Sequence, residues 1–419
     1  MTAYLLLFLA GALLSILAAR SLSASGLGFL LLCAAAFRLT MLLHAPDLSD
    51  DIYRYSWDGG VAATGRSPYA FAPDDPAVAT LSPELRARVS HRELRTVYPP
   101  VGQAVFRWAA SPPGDGVLAL KAIFGAADVA IVALLFVGGG AAAPFGAALY
   151  AFHPLAVTES AGQGHLDSLG VALLLAALIY LGRNRAVFSG VAFAGSVLTK
   201  YVPLAALLPF ARRGGWKFAA AALVTGATVW GLATRDGVRP IGALGDYATR
   251  WEFNSLLYPA VSGAVESAQL PEKAKAAYIR WKEPRRPQRP WMQRVFPYFY
   301  AAFFARVALA LLLALVLAGI TLSVRDAETS VFASLGAFLL VSPTLHPWYL
   351  LWVLPFAARR REPAFLYLAA AVPMSYALLY PLPGVSPAAI RLVEYGPFAV
   401  LLGVTLWRWR SRRRSAKRG

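Results

Sequence analysis

The chain has 419 residues, 58% of them hydrophobic and only 15% charged, with a mean hydropathy of +0.53. No water-soluble domain is built that way, whereas apolar runs of about 18–20 residues suit a hydrocarbon core about 30 Å thick; the fold class is an all-α polytopic membrane protein. The net charge of +18 does not signal a nucleic-acid partner, because the basic residues cluster where apolar runs end, which is where they orient a membrane protein and attract anionic membrane lipids.

Apolar segments fall at residues 3–19, 24–44, 117–137, 141–157, 166–183, 186–199, 203–211, 216–234, 299–324, 329–345, 348–359, 363–381 and 388–407, so the chain reads as one integral membrane domain over 1–419. The first of them, Tyr4 to Ala19, resembles a signal-peptide core but lacks a basic leader and reads as a retained span. Cys33 is the single cysteine, so no intramolecular disulfide forms. Two long connections stand out. Residues 45–116 carry Gly65-Arg66-Ser67-Pro68-Tyr69, Ala72-Pro73-Asp74-Asp75-Pro76 and Tyr98-Pro99-Pro100, whose turn chemistry predicts an ordered loop; residues 235–298 form the second connection.

Orientation follows from the arginines at 183–185, 212–213, 359–361 and in the basic tail 408–419, all assigned to the cytoplasmic side. Residues 186–211 then cannot form one full crossing. The conflict is resolved if Thr199-Lys200-Tyr201-Val202-Pro203 is the tip of two short half-helices, Pro203 supplying the break. That topology puts both long loops, Lys200, His165-Leu166-Asp167 and His346-Pro347-Trp348-Tyr349 together on the outer side of a plasma membrane.

Several residues on that side bear chemistry. Asp50 and Asp51 stand where a helix beginning Ile52-Tyr53-Arg54-Tyr55 would start, and they fit either a dipole-favoured cap or a general base. Helical spacing pairs Asp51 with Tyr55 and Asp50 with Arg54. Lys200 either snorkels to the interface or neutralises an anion such as phosphate. His346, framed by two prolines, either belongs with Trp348 and Tyr349 to an aromatic belt or donates to a phosphate oxygen. Glu159, His165 and Asp167, with His153 before Pro154, form a weaker polar group. No phosphate-cradling glycine loop, zinc spacing or nucleophile elbow occurs in the sequence.

The acidic pair, the aromatic helix and Gly65-Arg66-Ser67-Pro68-Tyr69 resemble the first outer loop of C-type (GT-C fold) membrane glycosyltransferases. Leu198 to Pro203 and Ser342 to Tyr349 look like further motifs of that group, and the likeness runs over roughly residues 24–381. It is nearest to the polyprenyl-phosphate-mannose-dependent mannosyltransferases of glycosyltransferase family 87 and to the catalytic subunit of glycosylphosphatidylinositol mannosyltransferase I. The resemblance implies a GT-C-like bundle of about 11–13 transmembrane helices with a structured first outer loop. It also implies an inverting transfer of a sugar, mannose in the nearest relatives, from a polyprenyl-phosphate donor to a hydroxyl of a lipid or glycan acceptor.

Relatives carry an acid-x-acid pattern that here reads Ser49-Asp50-Asp51, so the frame places the base on Asp51 and leaves Asp50 as its rival. By the same likeness Lys200, His346 and Arg54 would hold the donor phosphate, and Tyr55, Tyr69, Glu159, His165, Asp167, Trp348 and Tyr349 would contact substrate. No metal or other cofactor is required, although a divalent cation is compatible with the paired acids. A transporter or flippase of a lipid-linked sugar is the rival reading, because broken helices and an intramembrane lysine suit it too.

Overall fold

The computed structural model describes residues 2–22, 26–78, 80–110, 116–140, 143–282 and 298–415. Among them the one strand-like pairing is an isolated bridge between Phe253 and Thr344; the rest of the regular structure is helical. Two apolar helices, α1 (Thr2–Leu22) and α2 (Leu27–Leu42), open the chain, and the first long loop folds into α3 (Asp51–Ala63), α4 (Pro83–Ala87) and α5 (Pro100–Ala110). Then come α6 (Gly116–Gly138), α7 (Ala143–Phe152) and α8 (Pro154–Val157), which runs into a π-helical turn at Thr158–Gly162. After α9 (Asp167–Gly182), α10 (Ala186–Thr199) is joined through a 3-10 turn, Val202–Ala206, to α11 (Leu207–Ala233). The second long loop holds α12 (Leu244–Arg250), α13 (Tyr258–Ser267) and α14 (Leu270–Lys282). The chain ends with α15 (Ala301–Ser323), α16 (Ala327–Val341), a 3-10 turn at Pro347–Trp352, α17 (Leu354–Arg360), α18 (Pro363–Ala371), α19 (Tyr376–Leu379) and α20 (Pro387–Ser415). The loop cations at 283–297 and the tail beyond Ser415 lie outside the described residues.

By length and apolarity alone five stretches could cross a membrane: Thr2–Leu22, Gly116–Gly138, Val202–Ala233 (which is kinked at Gly215), Ala301–Ser323 and Pro387–Ser411. A sixth arises if Pro154–Gly162 and Asp167–Gly182, bent by 117°, count as one broken span, and shorter apolar helices account for most of the remaining runs. Leu6, Leu7, Leu13, Leu32, Leu311, Leu315 and Leu322 are each more than half exposed, a leucine belt that only a lipid surrounding satisfies.

The run at 348–359 is a different case. It forms a 3-10 turn and a seven-residue helix, and Leu350 to Leu354 are fully buried. A dozen apolar residues are too few to span a bilayer and here build core. The run at 141–157 is also shorter than the sequence suggests. It stops at Phe152 because Pro154 cannot continue the hydrogen-bond ladder, and His153 caps the new start by accepting from the Leu155 N–H at 3.2 Å.

The hairpin around Lys200 is present. α10 has 14 residues, about 21 Å of helix, which is less than a hydrocarbon core. The returning segment lies against α10 through Phe193, Phe210 and Phe218, and Gly214 packs near Leu181 at the far end of α9. There Gly215 breaks α11 with φ 62° and ψ −159°, a backbone state that a side chain would strain, and the chain turns back. Arg359 reaches the Gly138 carbonyl (3.2 Å) and pairs with Glu328 at the start of α16. The arginines at 183–185, 212–213 and 359–361 therefore gather at the end of the bundle opposite Lys200 and His346.

Two buried cations tie the helices together beneath the first loop. Arg38 of α2 bonds Asp128 of α6 (2.6 and 2.8 Å) and the Ala151 carbonyl, while the Tyr150 hydroxyl donates to the same carboxylate at 2.5 Å. Lys121 donates to the carbonyls of Met41 (3.0 Å) and His44, closing the end of α2. Both cations are hydrogen-bonded to buried partners, the condition under which such groups are tolerated at depth.

Candidate active site

The acidic cluster sits where the first loop turns into α3. Asp50 holds the N-cap position without making a side-chain cap bond, and the Ser49 hydroxyl instead accepts from the Asp51 N–H at 3.3 Å. The carboxylate pair therefore does not act as the side-chain cap that its position suggested. Gln163 pins the approach by accepting from the N–H groups of Leu48 (2.9 Å) and Ser49 (3.2 Å). Asp51, in the first turn, lies in the favourable field of the helix N-terminus.

The predicted Asp51–Tyr55 pairing is found: the Tyr55 hydroxyl donates to Asp51 Oδ2 at 3.4 Å. Tyr55 is itself locked, stacked on Phe106 at 4.6 Å and met edge-on by Tyr98 and Phe124. The expected Asp50–Arg54 pairing is not found. Arg54 bonds Asp58 one turn further on at 2.9 Å and the Leu94 carbonyl at 2.8 Å, because Asp58 is buried and needs the cation.

Lys200 ends α10 in an extended backbone and points inward. Its ammonium donates to both oxygens of Asp167 (3.0 and 2.8 Å) and lies 4.5 Å from the centre of the Tyr349 ring. The Trp352 indole N–H donates to the same carboxylate at 2.6 Å. Lys200 is thus neither snorkelling nor bare; it is held in place by a buried partner.

The segment from Ser342 to Tyr349 is stitched to the second loop. Phe253 N–H donates to the Pro343 carbonyl (3.2 Å), Leu345 N–H to the Phe253 carbonyl (2.7 Å), and the Ser255 hydroxyl to the Ser342 carbonyl (2.8 Å). Those bonds bring four rings into one stack, Phe253, His346, Trp348 and His165, with successive centroids 4.3, 4.3 and 3.8 Å apart and interplanar angles of 11°, 6° and 16°.

These elements enclose a cavity of about 1060 Å³. The loops give it a polar wall with Asp50, Asp51, Arg54, Arg95, Lys200 and His346, flanked by Tyr98, Tyr247, Trp348 and Tyr349. The helices give it an apolar wall from Leu204, Leu313, Leu317 and Phe338. Burial and the neighbouring Asp50 charge push the Asp51 carboxyl up to about 6, while Lys200 pulls it the other way. Burial, with Lys200 close by, pushes the His346 imidazole down to about 3, so it meets a ligand as a neutral ring.

Of the residues expected to touch substrate, Trp348 and Tyr349 line the cavity, whereas Tyr55, Tyr69, Glu159, His165 and Asp167 do not. Those five are buried behind its wall. Tyr69 donates to the Tyr98 carbonyl at 2.9 Å and Asp167 holds Lys200, so these side chains support the site instead of forming its surface. Tyr98, Arg95, Tyr247, Trp251 and Arg306 also line the cavity. Arg306, a lone cation in an apolar helix, donates to the Trp251 carbonyl and to Glu252, both at 3.2 Å. A lone charge in an otherwise apolar helix is the signal by which the sequence could have pointed to it. Among the described residues, no three His, Cys, Asp or Glu side chains are placed to hold a metal ion.

A family model described as the N-terminal domain of alpha-(1->6)-mannopyranosyltransferases matches residues 1–213, a stretch that includes Asp51, Glu159, His165, Asp167 and Lys200. No curated protein and no solved structure matches the chain. Because the matched segment is more than half of the 419 residues, the chain belongs to the alpha-(1->6)-mannopyranosyltransferase family and is a multi-pass mannosyltransferase.

Proposed function

We propose that the enzyme transfers mannose from a polyprenyl-phosphate donor to a primary hydroxyl of a lipid or glycan acceptor, at the extracytoplasmic face of the plasma membrane. The observation that carries this reading is the mixed lining of the cavity: Asp51, Lys200 and His346 line it together with apolar side chains from Leu204, Leu313 and Leu317 and from Phe338 of α16. A donor with a phosphate next to an isoprenoid chain matches both kinds of lining at once. The arginine clusters at the opposite end of the bundle support the outer face.

In the reaction Asp51 accepts the proton of the acceptor hydroxyl, whose oxygen forms a bond to the anomeric carbon as the bond to phosphate breaks. A carboxyl held near 6 is mostly ionised at neutral pH yet basic enough to take that proton. Charge building on the leaving phosphate meets the Lys200 ammonium and the neutral His346 N–H, groups already fixed by Asp167 and by the ring stack. One such displacement inverts the anomeric centre, so an α-(1→6) product calls for a β-linked donor.

The test is transfer by the purified protein in nanodiscs, with radiolabelled polyprenyl-phosphate mannose or a nucleotide-activated mannose offered separately. The reading expects transfer only from the lipid donor, of β configuration, and none from a folded Asp51→Asn variant. Equal use of the nucleotide sugar, or full activity of Asp51→Asn, would overturn it.

A further inference from the structure

His165 touches no part of the cavity, yet both of its ring nitrogens are buried without a hydrogen-bond partner. A buried imidazole with two unsatisfied nitrogens is unusual in a native interior and asks for an explanation. Two carboxylates face those nitrogens: Asp51 Oδ2 lies 3.8 Å from Nδ1 and Glu159 Oε2 lies 3.4 Å from Nε2. The ring is clamped flat on Trp348 with centroids 3.8 Å apart, so it can reach either carboxylate only along its own plane. Gly164, just before it, has φ +73°, and a Cβ there would run into Ile52. Glu159 sits in the π-helical turn, an irregularity that often marks functional sites, and accepts from the Tyr376 hydroxyl at 2.9 and 3.0 Å.

We infer that His165 is a positioning residue for the base, forming with Glu159 and Asp51 a buried chain that closes when substrate fills the cavity. In that closed state Nδ1–H donates to Asp51 Oδ2, fixing the ionised carboxylate toward the acceptor. Nε2 then carries no proton and accepts one hydrogen bond from a protonated Glu159, whose other oxygen still accepts from Tyr376. Hydrogen bonds at catalytic sites are commonly long in the empty enzyme and tighten in the substrate complex, which fits separations of 3.4 and 3.8 Å. The arrangement follows the logic of triads, in which a second group sets the tautomer and direction of the imidazole. Asp51 is also faced by Asp50, Lys200, Asp167 and Tyr98, and His165 by Lys200 and His346; these groups stay unchanged in the test.

This inference rests on Asp51 being the base, and the experiment separates the two. Full-length variants in nanodiscs would be assayed for kcat, KM and the pH profile of kcat/KM with polyprenyl-phosphate mannose. His165→Asn places an amide where Nδ1 was and should stay within about tenfold of wild type. His165→Gln places it where Nε2 was and should lose about a hundredfold in kcat with little change in KM. In the Gln variant the acid limb should also move to higher pH, because the ionised Asp51 has lost a donor. Glu159→Gln, whose amide can still donate to Nε2, should keep nearly full activity, whereas Glu159→Ala should not. Equal losses in the Asn and Gln variants with an unmoved acid limb, or a rise in KM alone, would overturn the positioning role. If the His165 variants fail to fold, the Glu159 pair decides: a dead Glu159→Gln refutes the protonated-Glu159 chain. Asp51→Asn in the same panel reports on the base itself, since full activity there sinks that assignment whatever His165 does.

Discussion

Removing Asp167 should destabilise the protein more than removing any exposed charge. Asp167 is fully buried and the Lys200 side chain is 14% exposed, with Nζ 2.8 and 3.0 Å from the two carboxylate oxygens. At an effective dielectric of about 20, unit charges about 3 Å apart attract by roughly 5–6 kcal/mol, most of which offsets the desolvation of the pair. Deleting one partner exposes that desolvation term, so Asp167→Ala should lose about 3–5 kcal/mol from the stranded ammonium. A further loss of about 1–3 kcal/mol comes from the Trp352 N–H, which donates to Asp167 at 2.6 Å and would be orphaned. Asp167→Asn keeps an acceptor for Trp352 and should fall at the low end of the range. Lys200→Met should cost nearly as much as Asp167→Ala, and the double variant Asp167→Ala with Lys200→Met should lose much less than the sum of the two. The assay is unfolding by SDS titration in mixed micelles, arranged as a double-mutant cycle. Additive losses in the double variant would refute the claim that the pair is an obligate buried unit.

Three other outcomes follow from single observations. With Asp51 held near 6, kcat/KM should rise with pH as the base ionises and level off above about 7; Asp50→Asn removes a neighbouring negative charge and should move that limb to lower pH. Arg38→Met strands the buried Asp128 and should cost about 3–5 kcal/mol in the same unfolding assay, with the turnover of the folded fraction preserved because Arg38 lies outside the cavity. Gly164→Ala should lower stability by about 1–3 kcal/mol from its positive φ alone, and more from the collision with Ile52; an unchanged unfolding midpoint would show that the backbone relaxes there.

The parts of this site readable from sequence were those that broke a periodic rule. Lys200 interrupts an apolar run beside Pro203, and conflicting arginine clusters forced a hairpin there, which the kink at Gly215 completes. Helical spacing pairs Asp51 with Tyr55, since residues four apart share one face of a helix and that is local information. Helical spacing does not decide between Asp50 and Asp58 as the partner of Arg54, because that choice depends on which acid is buried, a tertiary fact. The same limit explains the segment 348–359: apolarity cannot distinguish a residue facing lipid from one facing other helices, and here Trp352 and Leu354 face only protein. Glu159, His165 and Asp167 were recognised as polar residues in an apolar setting. That they stand behind the cavity wall depends on a 117° bend and a π-helical turn, which no spacing rule supplies.

The site contains two central aspartates, and their surroundings assign them different work. Asp167 is fully buried behind the cavity wall and its charge is matched by Lys200 and an indole N–H, so it does not reach an acceptor. Asp51 leaves 29% of its side chain exposed at the cavity, and its carboxylate lies 3.8 Å from the uncharged His165 ring. Where two carboxyl groups are driven into unlike environments, the environments identify the roles. Lys200 follows from the same contrast. An ammonium already saturated by Asp167 would be of little use to an incoming phosphate, yet it has three donors, two directed at Asp167 and a ring face beside it at Tyr349. The remaining donor lies on a cavity-lining residue, so under the proposed function a donor phosphate would complete the coordination of Lys200 without displacing Asp167. It follows that Asp167→Asn should weaken the fold and the placement of Lys200 while leaving the acid limb set by Asp51 in the pH profile. Loss of that limb in Asp167→Asn would mean that the two aspartates act as one titrating unit and that this division of labour is wrong.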